Sequence, residues 1–264
     1  MRPRKAETYI PGSFVILGNA RTGTSMLRHL LDGHQEIRCA GEHISNDVQT
    51  IFPARARYRL LPFKARIVRT VAFKRWRLRR LFHDHRNAKV VGFKALYEQI
   101  PPALLPDLFT SIEHHILILR RDRVRRVLSL LKARESGTWN LVTNKAVTRP
   151  SKGPVTIDVN ELKTEIEKTE TADASWRRRI EQLQDRGAII FYEDLVNDRA
   201  AQLARIFRFL RVDTESAHTM SPKTVRMSDP HRLSEQIQNF DELLRLTEGT
   251  RFADMLREFE RPAA

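Results

Sequence analysis

The chain has 264 residues, 41% hydrophobic and 30% charged, which suits one α/β domain with a full core and excludes a disordered segment. Its single cysteine, Cys39, excludes an internal disulfide and is read as a small buried residue of a reducing, cytoplasmic protein. The net charge of +15 is concentrated: between Pro53 and Val90, thirteen Lys and Arg residues stand against one acid, Asp84, so one local feature faces an anionic partner.

The N-terminal MRPRKAETYIPGS is basic, but the apolar run behind it, Phe14–Leu17, has the length of a strand and is too short for a secretory signal. No run approaches a membrane span. The strand leads into GNARTGTS, where the spacing G-x-x-x-x-G is intact at Gly18 and Gly23. The Lys of an ordinary Mg-nucleotide loop is replaced by Thr24, followed by Ser25, and the only cation is Arg21, inside the turn. Backbone N–H groups of such a turn close around a phosphate, and the start of the helix predicted over Ser25–Leu31 favours negative charge. The expected ligand is therefore a nucleotide phosphate, but not that of an ordinary Mg-ATP enzyme.

A helical pattern follows over Leu60–Phe82, where Leu60, Ile67, Val71, Leu78 and Phe82 form one stripe among Arg and Lys residues. It is read as a basic helical arm inserted over residues 53–86. Such a helix can lie apolar face down on an anionic membrane, or pack its stripe on the core and present its charge to a polyanion. A strand at Val90–Phe93, just before Lys94, a helix at Pro102–Phe109 and a strand at Ile116–Leu119 come next. The last runs into Arg120, Arg121 and a helix over Val124–Ala133 that carries Ser129 two turns along. A strand-end Arg and this Ser can converge on a second phosphate; the alternative is a solvated basic helix start.

Residues 136–156 are rich in Ser, Thr, Gly and Pro without period, and are expected to form a flexible loop on the acceptor side. Trp139 within it either stacks on a sugar or adenine or anchors the loop. A helix over Val159–Leu183 and a strand at Ala188–Phe191 lead to the corner FYEDLVND, with Asp198 as N-cap of a helix over Ala200–Leu210. That corner is structural, or else an acidic strand end that positions a metal. Buried strands alternating with amphipathic helices predict a single α/β domain. Its parallel β-sheet is flanked by helices on both faces, with right-handed crossovers and the ligand at the carboxyl ends of the strands.

In this order, ARTGTSML, LRRDRVRRVLS and FYEDLVND resemble the sulfotransferases that use 3′-phosphoadenosine 5′-phosphosulfate (PAPS). The resemblance is to their bacterial carbohydrate branch, which includes the nodulation-factor sulfotransferase. KVVGFKALYEQ (89–99) and IQNFDELLRLTEGTRFADML (237–256) are similar to the same branch, while the basic arm and 136–156 match no motif. The resemblance implies a P-loop-like fold and transfer of a sulfuryl group to a hydroxyl acceptor, a small molecule, carbohydrate or glycolipid. It implies 3′-phosphoadenosine 5′-phosphate (PAP) as product and no metal. Arg21 then contacts the 5′-phosphate and the transferring group, and Thr22, Gly23, Thr24 and Ser25 fill the phosphate loop. Arg121 and Ser129 match the 3′-phosphate pair, with Arg120 able to replace Arg121. Glu42, in CAGEHIS, matches the general base, with His43 as competitor. Lys94 matches a substrate-side active-site position, and Arg226, in the late basic loop KTVRMSDPHRLSE with Lys223 and Arg232, a donor contact.

The chemistry is consistent with this. A sulfuryl group carries less negative charge than a phosphoryl group, so Arg21, backbone N–H groups and a helix start can stabilise the charge that develops. A carboxylate can take the acceptor's proton. The expected location is cytoplasmic, peripheral at the inner membrane surface through 53–86, with no nucleic-acid partner. Two other classes compete: a P-loop kinase-like phosphotransferase with Glu193 or Asp194 arranging Mg²⁺, and a non-catalytic basic module for nucleic acid or membrane, with Trp76 and Phe82 for stacking. The missing Lys after Gly23 and the second cationic site count against the kinase; the Gly-rich turn counts against the module.

Overall fold

Unbroken apolar runs of strand length dictate the centre of this protein. Residues Phe14 and Ile16 point to one side of the first strand and Val15 and Leu17 to the other, and all four are buried. The computed structural model describes residues 9–45, 70–85, 88–137, 153–219 and 232–260. Among them, five strands, β1 (Ile10–Gly18), β2 (Ile37–Glu42), β3 (Val90–Leu96), β4 (Ile112–Leu119) and β5 (Gly187–Phe191), pair in parallel in the order β2-β3-β1-β4-β5. Because β1 has β3 on one side and β4 on the other, the connections leaving β1 and β4 part at their carboxyl ends. That is the switch-point crevice where open α/β sheets take ligands.

Helices cover both faces. On one, α1 (Thr24–Asp32) and α7 (Arg199–Phe209) bury Leu27, Leu30, Leu31, Leu203, Ile206 and Phe207 on Phe14, Ile16 and Ile116. On the other, α2 (Val71–Asp84), α3 (Leu105–Ser111) and α5 (Val159–Glu181) bring Leu78, Leu81, Leu108, Trp176 and Ile180 onto Val15, Leu17, Phe93 and Leu117. A third cluster joins α4 (Arg123–Ser136) and the start of α5 to α8 (Leu233–Gln236), α9 (Phe240–Leu246) and α10 (Arg251–Glu258) through Val127, Leu162, Ile166, Leu243 and Leu256. A short α6 (Tyr192–Asn197) makes the corner after β5, and Asp198 caps α7 by accepting from the Ala201 N–H, as predicted.

The predicted parallel sheet and its four strands are present. The sequence reading assigned no strand to β2, an edge strand whose burial alternates imperfectly, and no helix beyond Leu210. The basic arm needs correction. The helix that carries Val71, Leu78 and Phe82 starts at Val71, because Thr70 has extended backbone and caps it by accepting from the Phe73 N–H. Leu60 and Ile67 lie outside the described residues. Leu78 and Leu81 are buried in the domain core, at about 1.5–3 kcal/mol each, whereas the Arg80–Asp84 pair on the same helix is exposed and screened by solvent. Core packing therefore holds α2, and its apolar face is not available to a membrane.

Gly92 pairs with Phe14 across β1 and β3, and a methyl group at Gly92 would sit 2.4 Å from the Phe14 ring. Gly92→Ala is expected to cost about 1–3 kcal/mol through overpacking, read as a lower urea midpoint at unchanged slope.

Candidate functional site

The phosphate-type loop leaves β1 and enters α1 through two left-handed residues, Arg21 (φ 68°) and Gly23 (φ 92°). At Gly23 glycine is required twice over: its φ is positive, and a Cβ would lie 2.4 Å from the Tyr192 ring. No side chain caps the start of α1, and no acid lies in its first turn. Thr22 is wholly buried and donates its hydroxyl to the Asn19 carbonyl at 2.8 Å, so it shapes the turn from within.

Buried cations hold this loop from three sides. Arg126, only 1% exposed on α4, donates to the Ala20 carbonyl at 3.3 Å and to the carbonyl and carboxylate of Glu165. Arg120, 4% exposed, donates to the Arg21 carbonyl at 3.2 Å and lies over the Tyr192 ring at 4.8 Å. Its Nε is buried without a hydrogen-bond partner. Lys94, 5% exposed on β3, donates to the Ser25 hydroxyl at 2.9 Å. Arg21 itself reaches α4, its Nε donating to the Ser129 hydroxyl at 2.9 Å. Burial first, and Arg120 second, bring its pKa down to about 10, so the guanidinium stays charged near neutrality.

The acidic strand end of β5 serves the turn after β4. Glu193 accepts from the backbone N–H groups of Arg121 and Asp122, at 3.0 and 3.1 Å. Asp194 takes both terminal nitrogens of Arg121, at 2.5 and 2.9 Å, while that guanidinium lies 4.0 Å above Phe191. Asp122 in turn caps α4 through the Arg125 N–H, its carboxyl pushed up to about 6 by burial. The corner is thus structural, as the blander reading had it, and both carboxylates are committed to protein groups. Arg121 and Ser129 are not joined by any hydrogen bond; Ser129 meets Arg21, and Arg120 is the arginine on the loop side.

At the other edge of the crevice, a β-bulge between Ala40 and Glu42 turns the end of β2 so that Glu42 pairs with Lys94. The two side chains meet at 2.7 Å, and Gln99 donates to the second carboxylate oxygen at 2.5 Å. Lys94 thereby connects Glu42 to Ser25 and so to the loop. His43 points elsewhere. Its Nε2 lies 3.0 Å from the Arg77 carbonyl and its Nδ1 3.1 Å from the Arg77 guanidinium, which fixes the Nε2–H tautomer. Burial first, and Arg77 next, push its pKa down to about 4.

Trp139, Lys223 and Arg226 lie outside the described residues, and Arg232 immediately precedes α8. Cys39 is buried, as expected. Sequence reasoning missed Tyr192, Gln99 and Arg126. Each lies inside a quoted motif, FYEDLVND, KVVGFKALYEQ and LRRDRVRRVLS respectively, but residue type alone gave none of them a role.

Comparison with known proteins agrees with the geometry. The chain is 27% identical over 246 residues to Nodulation protein H of Rhizobium tropici, covering 92% of each. Its fold resembles the sulfotransferase domain from the curacin biosynthetic pathway (TM-score 0.53, 15% identity, 95% of this chain and 90% of that one). It also resembles a sulfotransferase from Alicyclobacillus acidocaldarius (TM-score 0.51, 18% identity, 95% and 94%). The model of the Stf0 sulphotransferases matches residues 94–242, more than half of the sequence, and overturns the kinase and non-catalytic readings: this chain belongs to the Stf0 sulphotransferase family.

Proposed function

We propose that this sulfotransferase draws on PAPS and delivers the sulfuryl group to a hydroxyl of a carbohydrate or glycolipid, with Glu42 as general base. The observation that carries the reading is the Lys94 bridge. One ammonium touches both the phosphate-type loop, at Ser25, and the Glu42 carboxylate, so a donor phosphate on the loop and an acceptor proton at Glu42 share one site. The residues suit a doubly phosphorylated nucleotide. The uncapped start of α1 with Arg21, Thr24 and Ser25 suits the 5′ end, and Arg120, whose buried Nε has no hydrogen-bond partner, suits a second phosphate together with Ser129. When bound, PAPS supplies an activated sulfuryl group.

Glu42 takes the acceptor's proton, which contributes about 10²–10⁴-fold. As it becomes neutral, Lys94 is released from its ion pair and faces the loop, where negative charge develops. Arg21 stabilises the same charge from the loop. His43 is set aside as the base because both ring nitrogens are engaged by Arg77. A carbohydrate acceptor is supported by the motif resemblance and by the similarity to Nodulation protein H. The outward face of α2, with Arg79, Arg80 and a 51% exposed Trp76, suits an anionic acceptor or the headgroups of an anionic membrane. No helix among the described residues is long and apolar enough to cross a membrane.

Three outcomes test this reading. PAP at 100 times its dissociation constant should stabilise the protein by about 2.7 kcal/mol in thermal unfolding, while ATP with Mg²⁺ gives little; the reverse order contradicts the donor assignment. Glu42→Gln should lower kcat by about 10²–10⁴-fold with donor affinity intact, whereas His43→Asn, which only loosens the contact with Arg77, should cost about tenfold at most; the opposite pattern makes His43 the base. His43 also sets a stability trend. Its pKa falls from the ordinary 6.5 to about 4 on folding, so the unfolded chain binds the extra proton between these values. The stability it contributes is complete above pH 6.5 and drains as pH falls towards about 4. His43→Asn should flatten that part of a urea-denaturation pH series, and an unchanged slope would contradict it.

A further inference from the structure

The inner face of the basic helix α2 carries two cations that its surface role does not use. Lys74 is 1% exposed, and its ammonium donates to the Ile44 carbonyl at 2.8 Å and the Gln99 carbonyl at 2.7 Å. These carbonyls belong to the two segments that carry Glu42 and its amide partner Gln99. Ile44 lies two residues beyond Glu42 on the exit from β2. Gln99 lies just beyond β3, and its side-chain amide donates to Glu42 at 2.5 Å. The Gln99 side-chain oxygen accepts from the Leu96 N–H at 3.2 Å, which fixes which end of the amide faces the carboxylate. One turn along α2, Arg77 holds both ring nitrogens of His43, the residue next to Glu42.

Burying an ammonium costs several kcal/mol unless oriented oxygens surround it. A hydrophobic residue at position 74 would pack α2 equally well against Leu78, Leu81 and the sheet. What a cation adds is a fixed distance between two chain segments that share no strand pairing beyond Glu42 and Lys94. We infer that Lys74, seconded by Arg77, is a positioning residue for sulfuryl transfer: α2 clamps the β2 and β3 exits together so that Gln99 and Lys94 hold Glu42 in the orientation that accepts the acceptor's proton. The inference rests on the reading of Glu42 as the base. It deepens that reading by giving α2 a part in turnover distinct from any binding by its outer face. A carboxylate misplaced by about 1 Å loses up to 10²-fold in rate, so a device that fixes its position is worth a buried charge.

The test is a set of variants read by steady-state kinetics and by PAP titration. Lys74→Met should lower kcat about tenfold or more while the PAP dissociation constant stays within about twofold, since the Ile44 and Gln99 carbonyls that Lys74 holds lie outside the phosphate loop. In a Glu42→Gln background the same substitution should have almost no further effect on kcat, because a residue acting through Glu42 has nothing left to act on. If Lys74→Met does not fold, Arg77→Met puts the same two questions to the half-buried end of the clamp. An unchanged kcat, or a loss that adds in full to that of Glu42→Gln, would overturn the clamp. Full turnover in Glu42→Gln alone would overturn the base assignment instead, so the two failures are distinguishable.

Discussion

The grip of Glu193 on the turn after β4 is the contact on which the rest of the site depends. One carboxylate accepts from two successive backbone N–H groups, those of Arg121 and Asp122, and so fixes the direction in which the chain leaves the sheet. Charge-assisted bonds of this type are about twice as strong as neutral ones. With the turn fixed, Asp122 starts α4 at a defined angle, and α4 carries both Arg126, under the loop at Ala20, and Ser129, at the Arg21 side chain. Asp194 pulls Arg121 outward, which leaves Arg120 as the arginine beneath the loop.

The loop also needs this support for a conformational reason. A non-glycine residue at positive φ, as at Arg21, costs on the order of 1–3 kcal/mol, and it persists only where the surroundings over-determine it. Here its carbonyl is held by Arg120 and its guanidinium by Ser129, while Tyr192 fills the space beneath Gly23. Acidic residues that would ligate a metal in a phosphotransferase are instead spent on shaping a cationic cradle.

Much of this was legible in the chain. Runs such as FVIL and ILIL have no polar face, so they declare buried parallel strands, and the Gly18–Gly23 spacing declares the loop between β1 and α1. Glu42 was identified by resemblance alone, because a carboxylate at the end of an unpredicted edge strand has no local signature. Arg120 and Arg121 are adjacent and chemically identical; only the position of Asp194, more than seventy residues on, decides which of them faces solvent. Of the stripe read over Leu60–Phe82, Val71, Leu78 and Phe82 pack on the core, but a stripe by itself does not say whether core or lipid covers it. Lys74 was counted among surface charges, since the oxygens that bury it come from two distant turns.

The central claim is that the loop after β1, the turn after β4 and the end of β2 form a single cradle for one nucleotide and one acceptor proton. A crystal structure with PAP bound tests it most directly. The account predicts the 5′-phosphate against Arg21 to Ser25, the 3′-phosphate within hydrogen-bond reach of Ser129 and of Arg120 or Arg121, and Glu42 still paired with Lys94 beside the vacated sulfuryl position. A nucleotide whose two phosphates do not span these groups, or one seated away from Lys94, would contradict it.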